Sequence, residues 1–170
     1  MSEDLTNPPV GGLNLEDILA NMELRALRVE YLDERARIFN LAGDLCFDAG
    51  LRERALSYYG RGIDVFLEAA EVDAAVAVCR KIVRLTPEVV RARCTLAWMA
   101  LGRGLIREAR QRIADYAAAA SHAGQAETAA RHLRLMTDVS ANVELLESLA
   151  DALKKLGDVD GAAHAFDAAM

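Results

Sequence analysis

Three histidines (His122, His132, His164) and three cysteines (Cys46, Cys79, Cys94) are the side chains of this sequence best suited to nucleophilic or metal chemistry. Their spacing organises neither. No histidine stands one helical turn from another histidine or from a cysteine, as helix-borne metal ligands do. The cysteines form no CxxC pair and are odd in number, so they write neither a zinc site nor a disulfide framework. Each cysteine reads as a small apolar residue at a helix contact, and each histidine as a surface or satisfied side chain. The Gly-Arg-Gly stretches at Gly60 and Gly102 lack the preceding strand and the following Gly-Lys-Ser/Thr of a phosphate-binding loop. Gly60 and Gly62 read instead as positions inside a helix against a close neighbour. With no GxSxG, no HExxH and no paired-carboxylate pocket, the sequence assigns no catalytic, cofactor-binding or metal-ligating residue, and it reads as a protein that is not an enzyme.

Binding chemistry is better represented. Residues 76–115 carry a net charge of +6, whereas residues 1–35, 36–75 and 116–170 carry −5, −3 and −4. Arginine supplies nearly all of the central charge. Arg80, Arg84, Arg91, Arg93, Arg103, Arg107, Arg110 and Arg112, with Lys81, could form a belt that receives an acidic peptide or the acidic flank of a second copy. Charge runs are more often solvated faces. Trp98, the only tryptophan, stands in the same region and is either an interaction anchor or a core residue. The overall charge of −6 argues against bulk attraction to nucleic acid or anionic lipid.

These side chains must be held by helices. Alanine makes up much of the apolar content, and alanine favours helix and disfavours sheet. Residues 1–13, with Pro8-Pro9 and Gly11-Gly12, have the composition of a flexible acidic tail. Asn14 before Leu15-Glu16-Asp17 is a helix start. From there to Ala49 the pattern predicts one long helix or two, with any break at Tyr31–Asp33. Breakers then recur at Gly50, Ala70, Pro87, Gly104, Gly124, Val139–Ala141 and Gly157, between segments with apolar residues three and four apart. No segment alternates like a strand. No apolar run reaches the roughly 20 residues of a membrane span, and the acidic start is unlike a secretory signal, so the expected location is the cytoplasm of a bacterial-type cell.

The breakers also repeat. Gly50, Gly104 and Gly157 are 54 and 53 residues apart, and each is followed five residues on by an alanine, Ala55, Ala109 and Ala162. On this register Ala75 meets Ala129, Arg80 meets Arg134, and Leu96-Ala97 meets Leu149-Ala150. Each unit holds three helices too short to persist alone, which predicts a solenoid in which neighbours supply the core. Glycine turns the chain at a helix end, and alanine lets the next helix approach closely.

Ala162, Phe166 and Ala169 after Gly157, with Leu149, Ala150 and Leu153 before it, resemble a tetratricopeptide repeat. Gly43, Gly50, Ala55 and Tyr59 are similar, as are Ala75, Cys79, Ile82 and Pro87, and Leu96, Ala97, Gly104 and Ala109. The likeness spans residues 35–170. It departs from the family in its three-helix period, the family's unit being about 34 residues and two helices, and in lacking the early aromatic residue at Arg93 and Leu146. The resemblance implies an all-α, antiparallel helical-hairpin solenoid with a right-handed superhelix, here of about seven or eight helices in a single domain over residues 14–170. It implies a non-catalytic scaffold or adaptor without a cofactor.

The resemblance further implies a groove lined by Asn40, Asp44 and Phe47, then Arg91, Cys94, Trp98 and Leu101, then Glu147, Asp151 and Lys154. Asp44, Trp98 and Asp151 stand where the family's carboxylate clamp has amides, so a receptor for C-terminal tails is not implied. In a strictly alternating stack, equivalent helices of three-helix units fall on opposite faces, which leaves the groove assignment open. The partner expected is another protein or peptide, of acidic character if it meets the belt at Arg80, Arg84, Arg103, Arg107 and Arg110. Alternatively the chain is a self-assembling subunit that joins through acidic and basic flanks or through the C-terminal helix, where Ala163, Phe166, Ala169 and Met170 are expected to lie uncovered, as in a piece of a longer array or a face for a partner. A regulatory nucleic-acid-binding module is the weakest alternative.

Overall fold

The computed structural model describes residues 14–170; the predicted tail, residues 1–13, lies outside the described residues. Every element among them is an α-helix. There are nine such helices, where the breaker pattern predicted seven or eight. The excess comes from the segment before Gly50, which holds two helices and not one, parted at the Tyr31–Asp33 region that the pattern allowed for a break.

Helix-to-helix contacts divide the chain into two compact units, the first ending at Ala69 and the second running Ala70–Met170. In the first unit α1 (Leu15–Arg28), α2 (Leu32–Asp48) and α3 (Arg52–Glu68) pack in chain order, α1 on α2 and α2 on α3. Asn14 caps α1 as its position predicts, its side-chain oxygen accepting from the Asp17 amide at 2.9 Å. Leu19 and Ala26 of α1, Phe39, Ala42 and Cys46 of α2, and Ala55, Tyr59, Ile63 and Phe66 of α3 are all buried. At Gly62 α3 lies close to the α2 backbone: a Cβ there would stand 3.2 Å from the Ala36 carbonyl oxygen. Gly60, expected to meet a close neighbour as well, faces open space.

The second unit holds α4 (Val72–Leu85), α5 (Val90–Gly102), α6 (Ile106–His122), α7 (Ala126–Val139), α8 (Val143–Lys155) and α9 (Val159–Ala169). Each helix packs on the next. In addition α6 packs on α8, while α7 packs on both α5 and α9. An ion pair from Arg80 of α4 to Glu108 of α6 joins α4 to the α6 side. The helices therefore form two layers, α4, α6 and α8 in one and α5, α7 and α9 in the other. This is an all-α helical-repeat fold. Its core runs along the seam between the layers through Ile113, Tyr116, Leu133, Met136, Leu149 and Leu153.

The repeated glycines end helices by one device. Gly50, Gly104, Gly124 and Gly157 all have positive φ, from 66° to 84°, and after each the next amide reaches back five residues. Leu51 N–H bonds the Cys46 carbonyl at 2.8 Å, and Leu105, Gln125 and Asp158 bond Ala100, Ala120 and Leu153 at 3.0, 2.8 and 3.0 Å. Such a left-handed closure satisfies orphaned carbonyls and reverses the chain. The alanines five residues beyond, Ala55, Ala109 and Ala162, are 0, 0 and 5% exposed, as close helix approach requires.

Candidate functional site

The layering decides which predicted residues share a face. Arg91, Cys94, Trp98 and Leu101 are on α5, and Asp151, with Glu147 and Lys154, is on α8, so the sequence-derived groove of the second unit is split between opposite layers. Three helices per unit put equivalent helices alternately on one face and the other. Cys94, Trp98 and Leu101 are partly buried and packed against the core, while Arg91 is exposed. Asn40, Asp44 and Phe47 are on α2 of the first unit and half-buried. Asp44 accepts the Tyr59 hydroxyl proton at 2.6 Å, which ties α2 to α3. Burial and this carboxylate together push the Tyr59 phenol well above its ordinary pKa.

The arginine belt is largely engaged within the chain. Arg80 and Arg112 both reach Glu108, at 2.9 and 3.2 Å, and these bonds, Arg80 first, hold its carboxyl below the usual glutamate range. Arg103 pairs with Asp73 at 2.7 Å. Arg110 pairs with Glu144 at 3.2 Å and donates to the Ser148 hydroxyl at 2.9 Å. Arg84 and Arg107 are exposed and have no ion partner among the described residues.

Arg107 borders a groove of about 640 Å³ between α6 and α8. Its floor is Ala114 and Ala117 of α6 and Ala152 of α8, small side chains that leave a trough where larger ones would fill the contact. Arg107 and Arg110 line one wall. Glu144, Ser148, Asp151 and Lys155 line the other, and Gln111 of α6 and Asn142 also border the groove. Asn142 is occupied in capping α8, accepting from the Leu145 amide at 3.0 Å. Arg107 and Lys155 are cations without an ion partner among the described residues, and Asp151 is the one such anion on the walls. Of the expected residues only Arg107, Arg110 and Asp151 meet here. Lys155 and Gln111 were missed, because nothing in the sequence says that α6 and α8, separated by a whole helix, become neighbours.

A second constellation was also missed. Cys94 of α5, Tyr116 of α6 and His132 of α7 converge: the His132 Nδ1 is 3.5 Å from the Cys94 sulfur and 2.7 Å from the Tyr116 hydroxyl. The Tyr116 and His132 rings are stacked with centroids 6.2 Å apart. Burial raises the Cys94 thiol and pushes the Tyr116 phenol well above its ordinary range. The other histidines stand apart, His164 facing Asp138 at 3.3 Å and His122 on the exposed end of α6.

The fold and its groove define an all-α helical-repeat protein. No family model matches the chain, and no curated protein matches it. Among solved structures it is similar to one described as MamA RS-1 ArsTM double mutant, with 14% identity over 94% of this chain and 95% of that one, at a TM-score of 0.39. Among the described residues no helix is long and apolar enough to cross a membrane.

Proposed function

We propose that the chain is a non-catalytic interaction scaffold of tetratricopeptide-like character, and that its working surface is the groove between α6 and α8, which receives an extended acidic segment of another protein. The observation that carries this reading is the pair of unpartnered cations, Arg107 and Lys155, on either wall of a trough floored by alanine. A cation without an internal partner can meet an incoming carboxylate without first breaking an ion pair, which the engaged arginines cannot do. Two such cations against the single free Asp151 set the preference for acid. Ser148 and Gln111 add polar contacts of the sort that orient a bound main chain.

The test is fluorescence anisotropy with a labelled extended peptide rich in Asp and Glu, beside a Lys-rich peptide of equal length. The expected result is binding of the acidic peptide alone, weakened roughly tenfold by Arg107→Glu or Lys155→Glu and weakened by added salt. Equal affinity for both peptides, no binding, or no loss in either variant overturns it. Light scattering in parallel separates this outcome from salt-sensitive self-association.

A further inference from the structure

We propose that Cys94, His132 and Tyr116 form a binding site for a single transition-metal ion of the zinc and cobalt class, in which the Cys94 sulfur and the His132 Nδ1 are the principal ligands and the Tyr116 oxygen is the third donor. This site shares no residue with the groove and stands or falls separately.

The geometry is that of a ligand set. A tetrahedral ion bonded at about 2.3 Å to sulfur and about 2.0 Å to nitrogen holds those atoms roughly 3.5 Å apart, and the Cys94 sulfur and His132 Nδ1 are 3.5 Å apart. The Tyr116 oxygen, 2.7 Å from the same nitrogen, needs to withdraw by about half an ångström to reach the spacing that a tetrahedral ion sets between nitrogen and oxygen ligands. Two partners thus face one ring nitrogen, which has one lone pair or one proton to offer. Cys94 and Tyr116 also hydrogen-bond each other, so sulfur, oxygen and nitrogen converge on one point that a single ion can occupy.

Donor chemistry and access agree. Thiolate and imidazole together select the later first-row metals over calcium or magnesium. Among the described residues no three His, Cys, Asp or Glu side chains come together, so the third donor here is a phenol, which leaves the fourth position to water. Cys94 is partly exposed, unlike the buried Cys46 and Cys79. On binding, the sulfur–hydrogen bond is exchanged for a sulfur–metal bond and the proton leaves to solvent. The imidazole keeps its proton on Nε2 and gives the Nδ1 lone pair to the ion. No oxidation or reduction occurs.

The experiment is titration of the full chain, reduced and freed of metal, with cobalt(II) while the visible and near-ultraviolet spectrum is followed. The expected result is one ion per chain, with the intense d–d bands of tetrahedral cobalt and a thiolate-to-cobalt charge-transfer band. Cys94→Ser is expected to abolish the charge-transfer band, and His132→Ala to weaken binding at least tenfold. Tyr116→Phe, which keeps the packing, is expected to retain the charge-transfer band and alter the d–d bands. Cys46→Ser is expected to leave the spectrum unchanged. Absence of the charge-transfer band in the parent chain, or its persistence in Cys94→Ser with circular dichroism unchanged, overturns the proposal.

Discussion

The ring of Tyr59 on α3 occupies the space that a side chain at Gly43 on α2 would need: a Cβ at residue 43 would lie 2.5 Å from two of its ring carbons. Both residues are buried, and the Tyr59 hydroxyl is fixed by Asp44, so the ring cannot swing aside without giving up that bond. Gly43→Ala is expected to destabilise the protein by about 1–3 kcal/mol through overpacking, measured by urea unfolding. In a Tyr59→Ala background the same change is expected to be neutral or stabilising, because the clash is gone and alanine exceeds glycine in helix propensity by about 1 kcal/mol. A cost that persists without the ring assigns the effect to something other than this contact.

Ala70 has a positive φ of 60°, alone among the described residues other than glycine. It stands at a helix end equivalent to those closed by Gly50, Gly104, Gly124 and Gly157, but it carries a Cβ in a conformation that costs an L-residue about 1–2 kcal/mol. Ala70→Gly relieves that strain and gives back part of it as unfolded-state entropy. The expected result is a gain of about 0.5–1 kcal/mol in the urea midpoint experiment. A loss would show that the backbone at residue 70 is not left-handed in solution.

Asp158 acts at two levels. One carboxylate oxygen accepts from the Gly161 amide at 3.1 Å, capping α9, and Arg134 of α7 forks onto both oxygens, with Nε at 2.6 Å from one of them. The Arg134 hydrogen bond, with help from the Gly161 amide, holds the Asp158 carboxyl below the usual aspartate range. Because the folded pKa lies below the unfolded value of about 4, the stabilisation is complete above that value and is lost as pH falls through the folded one. Glu23, held down by Tyr58 and Arg61, and Glu108 act in the same sense. Stability is therefore expected to decline from pH 5 towards pH 2, about 4 being the middle of that window. Asp158→Asn is expected to shrink the decline, and Asp158→Ala to cost about 1 kcal/mol at neutral pH through the lost cap. Urea unfolding of the three proteins at pH 7 and at acid pH checks both.

The helices were legible in the sequence because their determinants are local. Asn14 caps the helix it precedes, and the breakers at Gly50, Ala70, Pro87, Gly104, Gly124 and Gly157 fall between helices. A left-handed turn needs only the residue that can adopt it, and the buried alanines five residues on need only to be small. The conformation at Ala70 shows the limit, since its place as a breaker was readable and its strain was not.

Lateral neighbours were the illegible part. The sequence by itself determined an all-helical repeat, the turn positions, the buried alanines and the concentration of arginine between residues 76 and 115. Which arginines remain free was decided by tertiary structure, because Asp73, Glu108 and Glu144 lie far along the chain from Arg103, Arg80 and Arg110, which they hold. The same is true of both sites. The groove exists because α6 meets α8 across the two-layer stack, and Cys94, Tyr116 and His132 meet because α5, α6 and α7 converge. Helical periodicity gives each segment its apolar face, but it does not say which other segment will cover that face; that follows from the alternation of layers, which only packing sets.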